Sequence, residues 1–174
     1  MGAGPPPTRL PYDNKHEVGF HLGAEVGPEP EFLEEATWYR KSLGPHSELF
    51  FLAGGIFTGD FFVYTGMGYR RYFRAATANN EMEQPVDVAI EVAAGGIWGH
   101  VAVPISVQLG GKPMYFTTQP SFGYNALGSV HIPVGFSWQP RPRMQVDTSV
   151  GTRFLSPQGN APLGYVNAGM TFPF

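Results

Sequence analysis

Ser129 and His131 stand two residues apart, and Asp147 follows in the next patterned stretch. A hydroxyl, an imidazole and a carboxylate are the residue types of acyl transfer, in which the histidine takes the serine's proton and the acid orients the ring. The segment HEVGFH offers a second set, His16, Glu17 and His21. It lacks the HExxH spacing that lines up two histidines on a helix, and an extended chain would put Glu17 and His21 on one face and His16 on the other. Arg70, Arg71 and Arg74 form a third group, and guanidinium forks suit phosphate oxygens. Neither histidine set converges on a reaction centre. The expectation is therefore no catalytic residue, no metal site, no cofactor and no enzyme activity.

More telling is where the other ionisable residues fall. Glu17, His21, Glu25, Arg70, Asp87, Glu91, His131, Asp147 and Arg153 all occupy one parity of alternating stretches, interleaved with glycines and small residues. Alternate residues of a strand share a face. The chemistry such a face offers is ion pairing, because charges drawn together inside a fold must pair or keep water.

The opposite parity is apolar. Val18, Phe20, Leu22, Ala24 and Val26 form one clear strand face, and helical spacing would scatter them around an axis. Val86 to Ala94, Val101 to Leu109, Val130 to Trp138 and Met144 to Phe154 repeat the pattern. So does the final stretch, with Val166, Ala168, Met170, Phe172 and Phe174 opposite Tyr165, Asn167, Gly169 and Thr171. Ser47–Phe57 and Phe61–Phe73 flank a Thr58-Gly59-Asp60 turn and read as a hairpin. The first of that pair is apolar on both faces, which leaves its orientation open. Pro104 and Pro133 fall inside strand patterns, where a missing N–H normally marks an edge or a bulge.

Composition narrows the class. Only 14% of the 174 residues are charged, while 23 are glycine and 17 proline; a soluble domain carries about a quarter charged residues. No apolar run is long enough for a transmembrane helix. There is no cysteine, which removes disulfides and thiol chemistry. A net charge of −3 without a basic helix argues against nucleic acid. Residues 1–14 read as a Pro-rich extended tail without the apolar segment of a signal peptide, and residues 15–174 as one domain.

The amphipathic last strand ending on Phe174 resembles the closing strand of Gram-negative outer-membrane β-barrels. In those proteins it serves as an assembly signal, which here would fall on Tyr165, Phe172 and Phe174. The pattern as a whole is similar to the small OmpA/OmpX-type barrels and implies an all-β, antiparallel, up-and-down transmembrane barrel. Eight strands follow if 28–46 and 110–127 are loops. Short turns at 58–60, 97–100 and 139–142 then share the periplasmic side with both termini. The longer 28–46, 74–85, 110–127 and 156–162 connections lie outside. Ten strands follow if 32–42 and 113–124 also pair, which moves 74–85 to the terminus side. On the eight-strand reading Phe57, Phe61, Trp98 and Trp138 form an aromatic girdle at the periplasmic rim. Arg70, Arg71 and Arg74 then reach lipopolysaccharide phosphates at the outer rim.

The implied role is structural, adhesive or complex-forming through outer loops, with the interior plugged by its polar network. Outer-membrane lipid, lipopolysaccharide, the assembly machinery and a protein at the outer loops or N-terminal tail are the expected partners. Three other readings stay open: a lipid A-modifying enzyme, a narrow cation-leaning pore, and a soluble lipocalin-like or β-sandwich binding protein. The last would have its apolar face inside.

Overall fold

The computed structural model describes residues 5–8, 15–26, 33–58, 60–73, 86–96, 98–110, 113–125, 128–155 and 163–174. The stretches read as loops at 74–85 and 156–162, and Arg74 with them, lie outside the described residues. Among the described residues twelve strand segments form one antiparallel sheet: β1 (His16–Val26), β2 (Leu33–Gly44), β3 (Ser47–Thr58), β4 (Asp60–Tyr72), β5 (Val86–Gly95), β6 (Trp98–Ala102), β7 (Ile105–Gln108), β8 (Met114–Thr118), β9 (Ser121–Asn125), β10 (Ser129–Arg141), β11 (Met144–Leu155) and β12 (Leu163–Pro173). β12 pairs with β1, from Glu17 opposite Pro173 to Val26 opposite Gly164, so the sheet closes on itself.

Those twelve segments occupy ten positions around the barrel. β6 and β7 lie end to end beside β5, and β8 and β9 lie end to end beside β10. The interruptions fall at Val103-Pro104 and Gln119-Pro120 and sit side by side: Val103 N donates to Pro120 O, and Ala89 N to Pro104 O. Pro133 stands in the next strand where β8 gives way to β9, so no ladder partner there asks for its N–H, and its carbonyl accepts from Thr118 Oγ1 at 2.6 Å. Prolines 104, 120 and 133 thus share one break in the hydrogen-bond ladder.

Ten positions replace the expected eight and fit the ten-strand alternative. The two added strands come from the stretches read as loops, and the reason is chemical. β2 turns Glu34, Ala36, Trp38 and Arg40 inward and Leu33, Glu35, Thr37 and Lys41 outward, so neither face looks apolar. β8 and β9 are short and split by proline. The larger count also reverses the assignment of sides. With both termini at one end, the hairpin turns after β3 and β5 lie at the opposite end, and the ends of β4 and β5 joined by 74–85 lie on the terminus side. Phe57 and Phe61, 4.5 Å apart between ring centres, therefore mark the far rim, while Trp138 and Phe174 mark the terminus side. Trp98 is not a girdle residue: it is buried, and its indole donates to Thr65 O.

Outward residues are apolar on nearly every strand, including Val18, Phe20 and Leu22 of β1, Ile90 and Val92 of β5, Ile132 and Val134 of β10 and Val150 of β11. Inward residues are mostly charged, polar, aromatic or small, with a few aliphatic side chains among them. Ten strands at a tilt near 40° enclose a backbone cylinder of roughly 10 Å radius, against about 8 Å for eight. That wider lumen needs bulk. Ala36, Trp38, Phe50, Leu52, Ile56, Tyr64, Ala93 and Trp98 form an apolar cluster on the β2–β6 side, which settles the orientation of β3. Gly68 sits opposite Phe50 across the β3–β4 pair, and a Cβ there would collide with the phenyl ring.

Replacing Gly68 by Val should therefore overpack the lumen and lower stability by about 1–3 kcal/mol. Gly164→Ala, where the nearest atom to a new Cβ is 3.7 Å away, should change stability by no more than about 0.5 kcal/mol. Urea midpoints of the two variants read the contrast directly.

Candidate functional site

Five consecutive strands each contribute one charged residue to a belt across the lumen, and the signs alternate. Glu17 on β1 faces Arg40 on β2; Glu48 on β3 faces Arg70 on β4; Arg70 in turn faces Glu91 on β5. Arg40 Nη2 lies 2.7 Å from Glu17 Oε2, and its Nη1 lies 3.3 Å from Glu48 Oε2. Arg70 Nη2 lies 2.5 Å from Glu91 Oε2, with Nε of the same fork at 2.8 Å. Arg70 Nη1 reaches Glu48 Oε2 at 3.9 Å. Every member is buried, each at 2% exposure or less. At such depth unpaired charges are very costly, so the surrounding polar groups matter. Trp38 Nε1 donates to Glu17 Oε1, Tyr72 Oη to Glu48 Oε2, and both His100 Nε2 and Gln119 Nε2 to Glu91 Oε1.

Two guanidiniums carry more N–H groups than three carboxylates take up, and the Pro-rich segment supplies further acceptors, while Arg40 Nε has no partner among the described residues. Arg70 donates to Pro6 O at 2.8 Å and Pro5 O at 3.0 Å; Arg40 donates to Thr8 O at 2.6 Å and Pro6 O at 3.4 Å. Gln145 Nε2 on β11 donates to Thr8 Oγ1 at 2.8 Å. Pro5, Pro6 and Thr8 are buried. Residues 5–8 of the stretch read from sequence as an extended tail thus lie inside the barrel on its terminus-side half. Proline has no N–H, so residues 5–7 present carbonyls alone to a site rich in donors.

A cavity of about 90 Å³ lies beside this segment, along the β8–β12 wall. Pro6 and Pro7 bound it, together with small residues such as Gly135, Ser137, Ser149 and Gly169 and the larger His21, His131, Asp147 and Tyr165. The space suits a few waters and is too small for a typical organic ligand. Asp147 Oδ2 and one ring nitrogen of His131, Nδ1, have no hydrogen-bond partner among the described residues.

The residues picked from the sequence divide accordingly. Glu17, Arg70 and Glu91 meet in the charged belt. Arg40 and Glu48, which complete it, lay in stretches whose parity was hard to read; the alternation of Glu34, Ala36, Trp38 and Arg40 was the available signal. His21 is buried against Trp38, 5.6 Å between ring centres. Glu25 and Asp87 are half-buried on β1 and β5. Asp147 Oδ1 accepts from Ser137 Oγ at 2.5 Å and from Gln145 at 2.8 Å. His131 shares a 3.1 Å hydrogen bond with Ser129, pairs across strands with Arg153 and packs edge-on against Tyr165. Asp147 pairs with Ser137, six residues along β10 from His131 and so roughly 20 Å away; no Ser/His/acid triad forms with it.

Among the described residues no metal-binding group of three occurs. Arg70 is fully buried and cannot meet a phosphate outside the barrel, whereas Arg71 points outward on the terminus side. Phe172 and Phe174 face outward and Tyr165 inward.

No family model and no curated relative matches the chain. Solved structures do. The CymD monoaromatic hydrocarbon channel aligns at a TM-score of 0.52 and 6% identity, over 92% of this chain and 89% of that one. The N-terminal β-barrel domain of Pseudomonas aeruginosa OprF aligns at 0.42 and 10% identity, over 92% and 99%. The attachment invasion locus protein Ail of Yersinia pestis aligns at 0.42 and 10% identity, over 92% and 97%. The alignment with the hydrocarbon channel is a likeness of fold alone.

Arg70→Met should cost about 3–5 kcal/mol, because it strands Glu91 and Glu48 in the lumen. Arg70→Met combined with Glu91→Met should recover much of that loss. Denaturant midpoints of the two single variants and the double variant would show the coupling; strict additivity would mean the pair is not the unit described.

Proposed function

We propose that the protein is an integral outer-membrane β-barrel, closed at rest, with a structural, adhesive or complex-forming role. The observation that carries this reading is the inversion of polarity. Val18, Phe20, Leu22, Ile132, Val134 and Val150 face outward on their strands while Glu17, Arg40, Glu48, Arg70 and Glu91 are buried inside. Water favours the reverse arrangement, and a lipocalin-like or sandwich fold would bury the apolar face. Lipid favours this one, and closure leaves no unpaired sheet edge. Strands of 10–13 residues, tilted near 40°, rise roughly 25–30 Å, enough for the hydrocarbon core.

The termini face the periplasm in this reading, and Phe172 and Phe174 stand outward where assembly machinery can meet them. Outer-membrane lipid and lipopolysaccharide surround the barrel, and a protein partner meets it at the far-side loops. The outer face of β2 departs from the apolar pattern with Glu35, Thr37 and Lys41, which favours a protein contact on that flank over lipid. A lipid A-modifying activity finds no support in the site: Ser129 and His131 are buried in the lumen, away from Asp147 and from the lipid.

Val150→Arg, near the middle of β11, should weaken folding into a bilayer by about 2–4 kcal/mol, and Leu43→Arg, at a strand end, by about 0–1 kcal/mol. Refolding into lipid vesicles, followed by the heat-dependent gel shift, measures both. A monodisperse native monomer in buffer free of detergent and lipid would falsify the membrane reading.

A further inference from the structure

We propose that the lumen is a gated passage for water and small hydrated cations, and that the Pro5–Thr8 segment is its stopper. The proposal rests on the membrane-spanning reading and adds a function to it. Three observations carry it. The first is how the segment is held: its contacts with Arg40, Arg70 and Gln145 are hydrogen bonds to carbonyls and one hydroxyl, and it adds no strand to the sheet. Water can replace each of those acceptors without disturbing the wall.

The second is what lies beside it. Bulky groups fill the β2–β6 side of the lumen, whereas the β8–β12 side is lined by Gly135, Ser137, Ser149 and Gly169 and leaves the 90 Å³ cavity that Pro6 and Pro7 bound. Withdrawing the segment would join this space to the terminus-side mouth. The third is charge. Glu17, Glu48 and Glu91 outnumber Arg40 and Arg70 in the belt, and the carbonyls of the stopper add no charge of their own. The opened lumen is therefore acidic and prefers cations.

Planar-bilayer recording tests this with the full chain, a variant lacking residues 1–14, and a full-length chain with Pro5, Pro6 and Pro7 all changed to Gly. The triple substitution keeps the length while adding N–H donors and chain freedom. Each protein is first checked for insertion by its heat-dependent gel shift. The full chain should be nearly silent. The truncated barrel should conduct at least an order of magnitude more often, with a reversal potential favouring potassium over chloride. A synthetic peptide of residues 1–14, added on one side, should silence it again. An inserted, heat-shifting truncated barrel as silent as the full chain overturns the proposal. If truncation prevents folding, the triple-glycine chain decides: more frequent openings support the stopper, and silence equal to the native chain overturns it. Failure of the native chain to insert would instead overturn the membrane reading.

Discussion

The structure depends on the belt of alternating charge that runs Glu17, Arg40, Glu48, Arg70, Glu91 across five neighbouring strands. A buried ion pair rarely adds stability over an apolar pair of the same shape, because both partners lose water. It does impose register. Sliding any of these strands by one residue would turn its charge to the outside and leave the facing charge buried alone. The belt thus specifies which five strands are neighbours and how they align. It also separates the lumen into a terminus-side half, where the Pro-rich segment docks, and a far half where Trp38, Tyr64, Trp98 and Ile56 pack.

The belt follows from the width of the barrel. An eight-stranded wall can be filled by side chains alone. Two more positions enlarge the cross-section by roughly half, and the extra space must hold something that neither collapses nor floods. Here it holds two fully buried arginines, a cluster of aromatic rings and a piece of the chain's own N-terminal region. The outer surface meets a different demand, since outward residues on nearly every strand build the apolar band. The same alternation that buries Arg70 therefore exposes Tyr69 and Arg71 to the other environment.

This logic explains which parts were legible in the sequence. Strands β1, β4, β5, β10, β11 and β12 read clearly, because an apolar parity stood against small or polar residues. The strands and the shared face of Glu17, Arg70 and Glu91 followed from that contrast, and the closed barrel from the resemblance it supported. β2 was hidden because its outer face carries Glu35 and Lys41 while its inner face carries Trp38 and Ala36, so the two parities looked alike. β8 and β9 were hidden by Pro120, whose meaning depends on Pro104 and Pro133 lying level with it in neighbouring strands. No single-strand reading can see that alignment. Missing those strands then assigned Phe57, Phe61, Arg70 and Arg71 to the wrong ends, an error of topology and not of pattern. The docking of Pro5–Thr8 left no periodic trace, since Pro5, Pro6 and Thr8 are held through three carbonyls and one hydroxyl, which leave no repeat in the side-chain pattern.

The composition of that segment nevertheless fits its site closely. After the carboxylates are paired, the belt retains guanidinium N–H groups and a surplus of negative charge. A docking segment with acidic side chains would deepen the surplus, and one with free N–H groups would bring donors to a site already rich in them. Three consecutive prolines bring neither. They also arrive with restricted backbones and lose less freedom on docking than other residues would. Hydrogen bonds to charged groups contribute about 1.5–3 kcal/mol each, and ordering a residue's backbone costs about 1–2 kcal/mol. The two are of similar size over so short a segment, so docking is held by a small difference. The barrel wall, closed by ladder hydrogen bonds on ten sides, is the permanent part of the molecule; the acceptor segment within it is the part that its energetics allow to move.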